Sequence, residues 1–241
     1  MKIDTKMKQN IITKGAEAII SLKNNQITKK RIQKSYRLPQ IDEQIRKLRT
    51  RSEGKILEKA GKIVSTPKIF NVNEKNKEIL MEFIDGKKLS NNLDKFHLKE
   101  QKEICKEIGK STAKLHNAGI IHGDLTTSNM IYVSKEKNKL KANLKLDKTH
   151  REAVITLTNP KSKFNFQIFF IDFGLSFHSQ KYEDKAVDIH LIKQALEAKH
   201  FKNWKTLYKE FLNGYSKESK EEKIILKQLE KVERRGRYKE H

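Results

Sequence analysis

The chain has 241 residues, which is enough for one sizeable hydrophobic core or for two small lobes around a cleft. Lys and Arg number 53 against 30 Asp and Glu, and the resulting net charge of +23 favours partners that carry phosphates. Cys105 is the single cysteine, which excludes a disulfide framework, and no apolar run approaches the roughly 20 residues that cross a membrane. We therefore expect a soluble protein of the cytoplasm, also of the nucleus if the organism is eukaryotic, with no membrane partner.

Short β-rich runs open the chain. Residues 11–13, 18–22 and 27–29 are rich in β-branched and apolar side chains. Turn-forming residues separate them at Gly15 and at residues 24–25. The pattern predicts three strands connected by tight turns.

A helix is predicted after these strands. Apolar residues recur with helical spacing from residue 41, and Pro39 and Gly61 mark suitable ends. Two further strands are expected within residues 68–84. The expected buried face of the helix consists of Ile41, Ile45, Leu48, Ile56, Leu57 and Ala60.

The chain is predicted to change character at Asp85-Gly86. Residues 1–84 are strand-rich with one main helix, whereas residues 85–241 are mostly helical. We therefore predict an α+β fold with two lobes, joined by a hinge at residues 82–86.

The second lobe is predicted to contain an insertion at residues 134–167, between two core strands at 130–133 and 168–171. The insertion begins Lys-rich and ends in an expected β-hairpin. The stretches with helical spacing are 98–115, 188–215 and 221–232.

Two motifs of the second lobe predict phosphoryl transfer. HGDLTTSN at residues 122–129 lies between a helix and an apolar strand, and Asp172 follows the next core strand within IDFG. In such a loop the Asp124 carboxylate orients a hydroxyl group, while Asn129 and Asp172 supply oxygen ligands to Mg²⁺. Because phosphoryl transfer needs little beyond positioning and charge neutralisation, the motifs indicate an enzyme that uses ATP and Mg²⁺.

The first lobe contains the candidates for ATP binding. Lys29 lies on the strand after the Gly15 turn, where an ammonium group reaches the α- and β-phosphates. Glu53 lies on the predicted helix and is expected to pair with Lys29. A single glycine stands where protein kinases use three, so a flexible cover over the phosphates is not expected. The backbone groups expected to contact ATP are those of Gly15, Ala16, Glu82, Phe83 and Ile84.

Three features differ from regulated protein kinases. Gly123 replaces the arginine that grips an activation-loop phosphate, and Thr126 replaces a lysine. About 16 residues separate Asp172 from Asp188, which is too short for a peptide-docking platform. We therefore do not expect control by activation-loop phosphorylation.

With these motifs in order, the chain resembles the small atypical Ser/Thr kinase subunit of the KEOPS (EKC) complex. The resemblance implies a bilobal kinase-like fold that binds ATP and magnesium and acts more as an ATPase than as a signalling kinase. It also implies a role in making threonylcarbamoyl-adenosine beside the tRNA anticodon. The implied partners are the tRNA threonylcarbamoyltransferase subunit, other KEOPS/EKC subunits and tRNA. The matching blocks are KGAEAII at residue 14, TKKRIQKSYRLP at 28, RTRSE at 49, IIHGDLTTSNMIY at 120, IDFGLSF at 171, EDKAVDIH at 183 and ERRGRYK at 233.

The resemblance also implies individual roles. Asp188 would brace the catalytic loop. The basic C-terminal tail, residues 233–241, would contact tRNA through Arg234, Arg235 and Arg237. The implied catalytic set consists of Lys29 as the ATP lysine, Glu53 as its helix partner, Asp124 as the catalytic aspartate, and Asn129 and Asp172 as metal ligands.

Three other functions stay open from the residues alone. A stand-alone Ser/Thr protein kinase shares the site but needs a peptide-binding surface. A small-molecule phosphotransferase also carries HGD with a downstream aspartate. A basic RNA-binding scaffold with a degenerate nucleotide site would account for the charge, but the catalytic set is intact.

Overall fold

Five antiparallel strands form one sheet in the first part of the chain. The computed structural model describes residues 10–135 and 165–237, except for the side chains of Asn10, Gly236 and Arg237. The sheet order is β1-β2-β3-β5-β4, so β3 lies at its centre. The strands predicted from the sequence here are confirmed. They are β1 (Asn10–Lys14), β2 (Ala18–Lys23), β3 (Gln26–Arg31), β4 (Ile69–Asn73) and β5 (Glu78–Glu82).

One long helix, α1 (Pro39–Gly61), packs against β4 and β5. Pro39 begins it because the ring fixes φ at a helical value and no NH is lost from a hydrogen bond. The predicted buried face is wrong at its N-terminal end, where Ile41 and Leu48 are 50% and 52% exposed. Asp42 is the buried residue there, and its carboxylate accepts a hydrogen bond from Arg46 Nε at 2.6 Å. The apolar contact with the sheet comes from residues 54–60 instead.

The described residues of the second part of the chain are mostly helical, as predicted. Helix α3 packs along α5, and α4 packs along α6. The stretch 188–215, predicted as one run of helical spacing, contains two helices because the chain turns between Lys199 and Trp204. The helices are α2 (Leu89–Asn92), α3 (Leu98–Asn117), α4 (Tyr182–Lys199), α5 (Trp204–Glu218) and α6 (Glu222–Arg237), with short 3₁₀ turns at Leu93–Lys95 and Thr127–Asn129.

Short strands support the segment that carries the HGD motif. β8 pairs antiparallel with β6 and β9, and β7 pairs with β10. The predicted core strands at 130–133 and 168–171 are confirmed as β8 and β9. Most of the predicted insertion, including the first arm of its hairpin at 153–158, lies outside the described residues, whereas the second arm falls largely on β9. These strands are β6 (Lys87–Lys88), β7 (Ile120–Ile121), β8 (Met130–Ser134), β9 (Phe166–Phe170) and β10 (Phe177–His178).

The α+β class and its order, a β-sheet part followed by a helical part, are confirmed. The exact division at residues 84 and 85 stays a prediction. None of the helices in the described ranges combines the length and apolarity that crossing a membrane requires.

Two glycines allow α3 and α5 to approach closely in the helical core. A Cβ atom on Gly109 would lie 2.0 Å from the carbonyl oxygen of Phe211. A Cβ atom on Gly214 would lie 1.9 Å from the carbonyl oxygen of Lys106. Backbone atoms cannot rotate away as side chains do, so the two helices pack together only while both positions lack a side chain.

Replacing either glycine by alanine should separate the helices. We expect Gly109→Ala and Gly214→Ala each to lower the free energy of unfolding by roughly 2 kcal/mol, because overpacking outweighs the better helix propensity of alanine. Urea unfolding measures this change. Gly15→Ala is the control, since a Cβ atom there would be 3.5 Å from its nearest neighbour. Equal stability of all three variants would contradict the close approach.

Candidate active site

Lys29, on the central strand β3, connects the two parts of the chain. Its Nζ atom lies 2.6 Å from Glu53 Oε1 on α1 and 2.7 Å from Asp172 Oδ1 just after β9. The side chains of Lys29 and Glu53 are 9% and 2% exposed, whereas that of Asp172 is 50% exposed. The structure thus contains the Lys29–Glu53 pair that the sequence predicts and brings Asp172 to the same ammonium group.

The surrounding charges keep Lys29 and Asp172 ionised. Burial alone would lower the pKa of Lys29, but the charges of Glu53 and Asp172 and its hydrogen bonds to them raise that pKa above 10.5. Burial alone would raise the pKa of Asp172. The Lys29 charge and hydrogen bonds from Lys29 and the Gly174 NH hold that pKa below 3.8. Lys29 and Asp172 are therefore both charged at neutral pH.

Strand pairing explains why Asn129 lies beside Asp172. Met130 at the start of β8 is paired with Phe170 at the end of β9, so the residues just outside this pair leave the sheet at the same edge. The Ile171 NH donates to the Asn129 carbonyl at 2.9 Å, which extends the contact by one step. The two predicted metal ligands therefore emerge together next to Lys29.

Asn129 also holds Asp124. Its Nδ2 atom donates to the Asp124 carbonyl oxygen at 3.0 Å and to Asp124 Oδ2 at 2.8 Å. Because the amide nitrogen makes both bonds, the amide oxygen is the atom of Asn129 left to bind a cation. The Asp124 side chain is thereby held on the loop that follows β7.

Asp188, on α4, holds the loop that contains His122 and Gly123. Its carboxylate accepts hydrogen bonds from the NH groups of His122 at 2.7 Å and Gly123 at 2.9 Å. It also lies 3.2 Å from His116 Nε2, whose Nδ1 atom is 2.8 Å from the Tyr215 hydroxyl. Asp188 is 1% exposed, so the brace that the resemblance implies is present in the core.

The backbone explains why Gly123 replaces the arginine of protein kinases. Gly123 has a φ angle of +77°, in the left-handed region that favours glycine. A Cβ atom there would lie 2.4 Å from the carbonyl oxygen of Leu175. Any side chain at this position would push the DFG segment away from the loop.

Asp172 itself has an unusual backbone. Its φ angle of +61° is uncommon for a residue with a side chain and is a feature concentrated at functional sites. The bonds of its Oδ1 atom to Lys29 Nζ and to the Gly174 NH, at 2.7 and 3.3 Å, hold this conformation.

The predicted nucleotide-contacting backbone lies at the ends of strands in the sheet that contains Lys29. The Gly15 NH donates to the Ala18 carbonyl at 3.0 Å in the turn between β1 and β2. The Glu82 NH donates to the Lys68 carbonyl at 2.8 Å, and the Phe83 NH donates to the Asn25 carbonyl at 3.4 Å. Ala16 lies in the same turn as Gly15, and Ile84 directly follows Phe83. Contact of these residues with ATP stays a prediction.

Arg31 is a charged residue of the cluster that the sequence reasoning missed. Its Nη2 atom lies 2.5 Å from Glu53 Oε2, and its side chain is 5% exposed. The available signal was its position two residues after Lys29 on one strand, which places both side chains on the same face.

The predicted tRNA-binding arginines lie at the C-terminal end of α6. Arg234 and Arg235 are exposed, and the Arg235 guanidinium forms an ion pair with the Glu183 carboxylate. The segment that the sequence suggests is a tail continues as helix to Arg237, whose side chain lies outside the described residues.

The donor set fits Mg²⁺. No group of three or more His, Cys, Asp or Glu side chains within residues 10–135 and 165–237 could hold a metal ion. Asn129 and Asp172 offer an amide and a carboxylate oxygen. Mg²⁺ in phosphate-transfer sites characteristically takes one or two protein oxygens and completes its shell with phosphates and water.

Residues 11–154 match the family model of the RIO domain. The chain belongs to the RIO-domain family. It is 37% identical over 243 residues to the KEOPS complex subunit Bud32 of Pyrococcus abyssi, which covers 95% of this chain and 96% of that protein. It is 34% identical over 227 residues to the probable serine/threonine-protein kinase BUD32 homolog of Archaeoglobus fulgidus, with 94% and 95% coverage. The kinase-like fold and the family predicted from the motifs are confirmed.

A longer relative carries the same region. The probable bifunctional tRNA threonylcarbamoyladenosine biosynthesis protein of Methanococcus vannielii is 34% identical over 235 residues. The match covers 95% of this chain but 36% of that protein, so this chain corresponds to one part of it.

His122 is buried in a setting that suits its neutral form. It lies 3.2 Å from the Ile171 carbonyl through Nε2, and its Nδ1 atom accepts from the Asp124 NH at 3.3 Å. Burial lowers the pKa of His122 below 6.5, although Asp188 and other nearby acids oppose this shift. A protonated ring would lose the bond from Asp124.

Acid should therefore destabilise the protein through His122. The unfolded chain binds the proton near pH 6.5 and the folded chain binds it only at lower pH. The contribution of neutral His122 to the free energy of unfolding is therefore fully present above about pH 6.5. Below that pH the free energy of unfolding falls, by up to about 1.4 kcal/mol per pH unit. We expect His122→Gln to show a shallower fall between pH 6.5 and 5 in urea unfolding. The exposed His178→Gln should keep the wild-type slope, and equal slopes in all three proteins would contradict the neutral His122.

Proposed function

We propose that this chain is a Mg-ATP-dependent atypical Ser/Thr kinase and ATPase. In a KEOPS-type complex it would support the threonylcarbamoylation of the tRNA adenosine next to the anticodon. The observation that carries the proposal is the convergence of Lys29, Glu53 and Asp172, beside the Asn129–Asp124 pair. The names of the relatives, a KEOPS subunit and a tRNA threonylcarbamoyladenosine biosynthesis protein, support the biological setting.

Each residue of the cluster has a proposed task. The Lys29 ammonium would bind the α- and β-phosphates, and Glu53 would orient it. Asn129 and Asp172 would hold Mg²⁺, which neutralises charge on the phosphates when bound. Asp124, fixed by the Asn129 amide, would orient the attacking water or hydroxyl group.

The adenine and phosphate contacts would be backbone contacts. We propose the segment Glu82, Phe83 and Ile84 for the adenine edge, because it directly follows β5, the neighbour of β3. We propose Gly15 and Ala16 for the phosphates, because the turn between β1 and β2 precedes the strand that pairs with Lys29.

A stand-alone protein kinase is the second candidate, supported by the name of the A. fulgidus relative. The short connection from Asp172 to α4 disfavours it. Part of this connection, β10, is paired with β7, and Leu175 packs its carbonyl against Gly123. Few residues then remain to build a surface that captures a peptide.

The ATPase activity tests the main proposal. We expect Asp124→Asn to lower kcat for ATP hydrolysis at least about 100-fold, because the attacking group loses its orienting carboxylate. Binding of Mg-ATP should persist, since Lys29 and Asp172 are unchanged. Hydrolysis is measured with the purified chain, alone and with the transferase partner and tRNA, where stimulation is expected.

Glu58→Gln, an exposed carboxylate-to-amide change on α1, is the matched control and should retain full activity. Unchanged hydrolysis by Asp124→Asn would refute the catalytic assignment. Rapid phosphorylation of a defined peptide without any partner would favour the stand-alone kinase instead.

We further propose that tRNA contacts the C-terminal end of α6. Arg234 and Arg235 are exposed there, and the net charge of +23 favours a polyanionic partner. Arg237 belongs to the same predicted set of tRNA-binding arginines. Substitution is a cleaner test than deleting residues 233–241, because deletion also removes the 2.7 Å ion pair of Glu233 with Lys193.

Changing Arg234, Arg235 and Arg237 to Gln should reduce the salt dependence of tRNA binding. The slope of log K against log salt should flatten by roughly 0.7–0.9 for each tRNA phosphate that the variant no longer neutralises. Filter binding or fluorescence anisotropy at several salt concentrations measures the slope. The control changes three exposed lysines before and within α5 to Gln, namely Lys202, Lys205 and Lys209. It removes the same amount of charge and should leave the slope unchanged. A wild-type slope in the arginine variant would rule out this surface.

A further inference from the structure

Arg31 gives the buried Glu53 carboxylate a second cationic partner. Glu53 Oε1 lies 2.6 Å from Lys29 Nζ, and Glu53 Oε2 lies 2.5 Å from Arg31 Nη2. Arg31 and Glu53 are 5% and 2% exposed. One acid is therefore shared by two bases inside the protein.

The Arg31 guanidinium lies within the cluster and not beside it. A Cβ atom on Gly174 would be 3.0 Å from Asp172 Oδ1, 3.3 Å from Arg31 Nη2 and 3.4 Å from Lys29 Nζ. All three charged groups thus face the same small space at the DFG glycine.

The hydrogen bonding of Arg31 is incomplete. Its Nε atom is buried and has no hydrogen-bond partner among the described residues. Burying such a donor is costly, so a purely structural tie between β3 and α1 would be poorly served by this arrangement.

The charges of the cluster suggest what Arg31 contributes. Lys29 and Glu53 alone would sum to zero, because the buried carboxylate cancels the ammonium. With Arg31, the three buried side chains carry one net positive charge. The half-exposed Asp172 carboxylate balances that charge.

We propose that Arg31 is a positioning residue for the polyphosphate of ATP. It neutralises Glu53 through Oε2 and holds this carboxylate in place, so that the charge of Lys29 stays uncompensated for the phosphates. This inference rests on the proposed function and concerns the same site. A side-chain charge here would also substitute for the backbone NH groups that a loop with only Gly15 supplies poorly.

Nucleotide affinity distinguishes this role from a structural one. We expect Arg31→Met to weaken binding of Mg-ATP and Mg-ADP about tenfold while adenosine affinity is unchanged, because only the phosphates experience the lost charge. Isothermal titration calorimetry on the full chain measures all three ligands. Arg51→Met is the matched control, since Arg51 forms an exposed pair with Glu74 at 2.6 Å, and it should bind every ligand as the wild type does.

Two more variants test whether Arg31 acts through Glu53. The double variant Arg31→Met/Glu53→Gln restores the net charge and should recover wild-type Mg-ATP affinity, while kcat stays low because Lys29 is no longer oriented. It should bind Mg-ATP about tenfold more weakly than Glu53→Gln alone. In Glu53→Gln and in the double variant, residue 53 is a neutral amide, so losing Arg31 leaves no buried carboxylate without its cation. These two variants can therefore be compared even if Arg31→Met fails to fold. Arg31→Lys keeps the charge and should retain most of the affinity.

Several results would overturn the inference. Equal losses for adenosine and ATP, or no loss in Arg31→Met, would assign Arg31 a structural role. The same holds if Glu53→Gln and the double variant bind Mg-ATP equally. If the wild-type chain binds Mg-ATP and any of these results is found, the proposed function stands and only the role of Arg31 is refuted. If the wild-type chain does not bind Mg-ATP, both the proposed function and the role of Arg31 are refuted.

Discussion

A carboxylate buried in a protein must be neutralised where it lies, and Glu53 is the group that imposes this constraint here. Its two oxygens reach two cations on β3, which sets the position of α1 against the sheet. One of those cations, Lys29, reaches Asp172 in the second part of the chain. Removing one partner of such a buried pair typically costs about 3–5 kcal/mol, so α1 and β3 are positioned as one unit. The half-exposed Lys29–Asp172 pair then connects this unit to the DFG segment.

The other acids of the site differ from Glu53 in exposure, and this separates their tasks. Asp188 is fully buried, and its carboxylate accepts hydrogen bonds from two backbone NH groups of the HGD loop, so it holds that loop in place. Asp172 is half exposed and its carboxylate pairs with the Lys29 ammonium, which suits the metal-binding task proposed for it. Asp124 lies between these extremes and is held by an amide that donates to it. Environment, not residue type, distinguishes the four acids.

Much of this arrangement could be predicted from the sequence, because strands, turns and motif order are local signals. The order of Lys29 and Glu53 relative to the Gly15 turn and the first helix predicts both residues of the pair. Arg31 is not predicted because the sequence contains 53 Lys and Arg residues and nothing local marks this arginine as buried. Its burial depends on Glu53, which lies 22 positions further along the chain. The buried face of α1 is predicted wrongly at its N-terminal end, because apolar spacing does not reveal that Asp42 and Thr50, and not Ile41 and Leu48, are buried there. Likewise, spacing alone did not reveal the turn between α4 and α5.

The pairing of β8 and β9 continues to the point where the described chain breaks off. The Lys135 NH donates to the Asn165 carbonyl at 2.9 Å, so the two ends of the intervening segment are held side by side by the sheet. Asn129 and Asp172 lie at the opposite end of the same two strands, so five paired positions of β8 and β9 separate this junction from the proposed metal ligands. A change in the chain beyond Lys135 or before Asn165 would reach those ligands only through the register of the two strands.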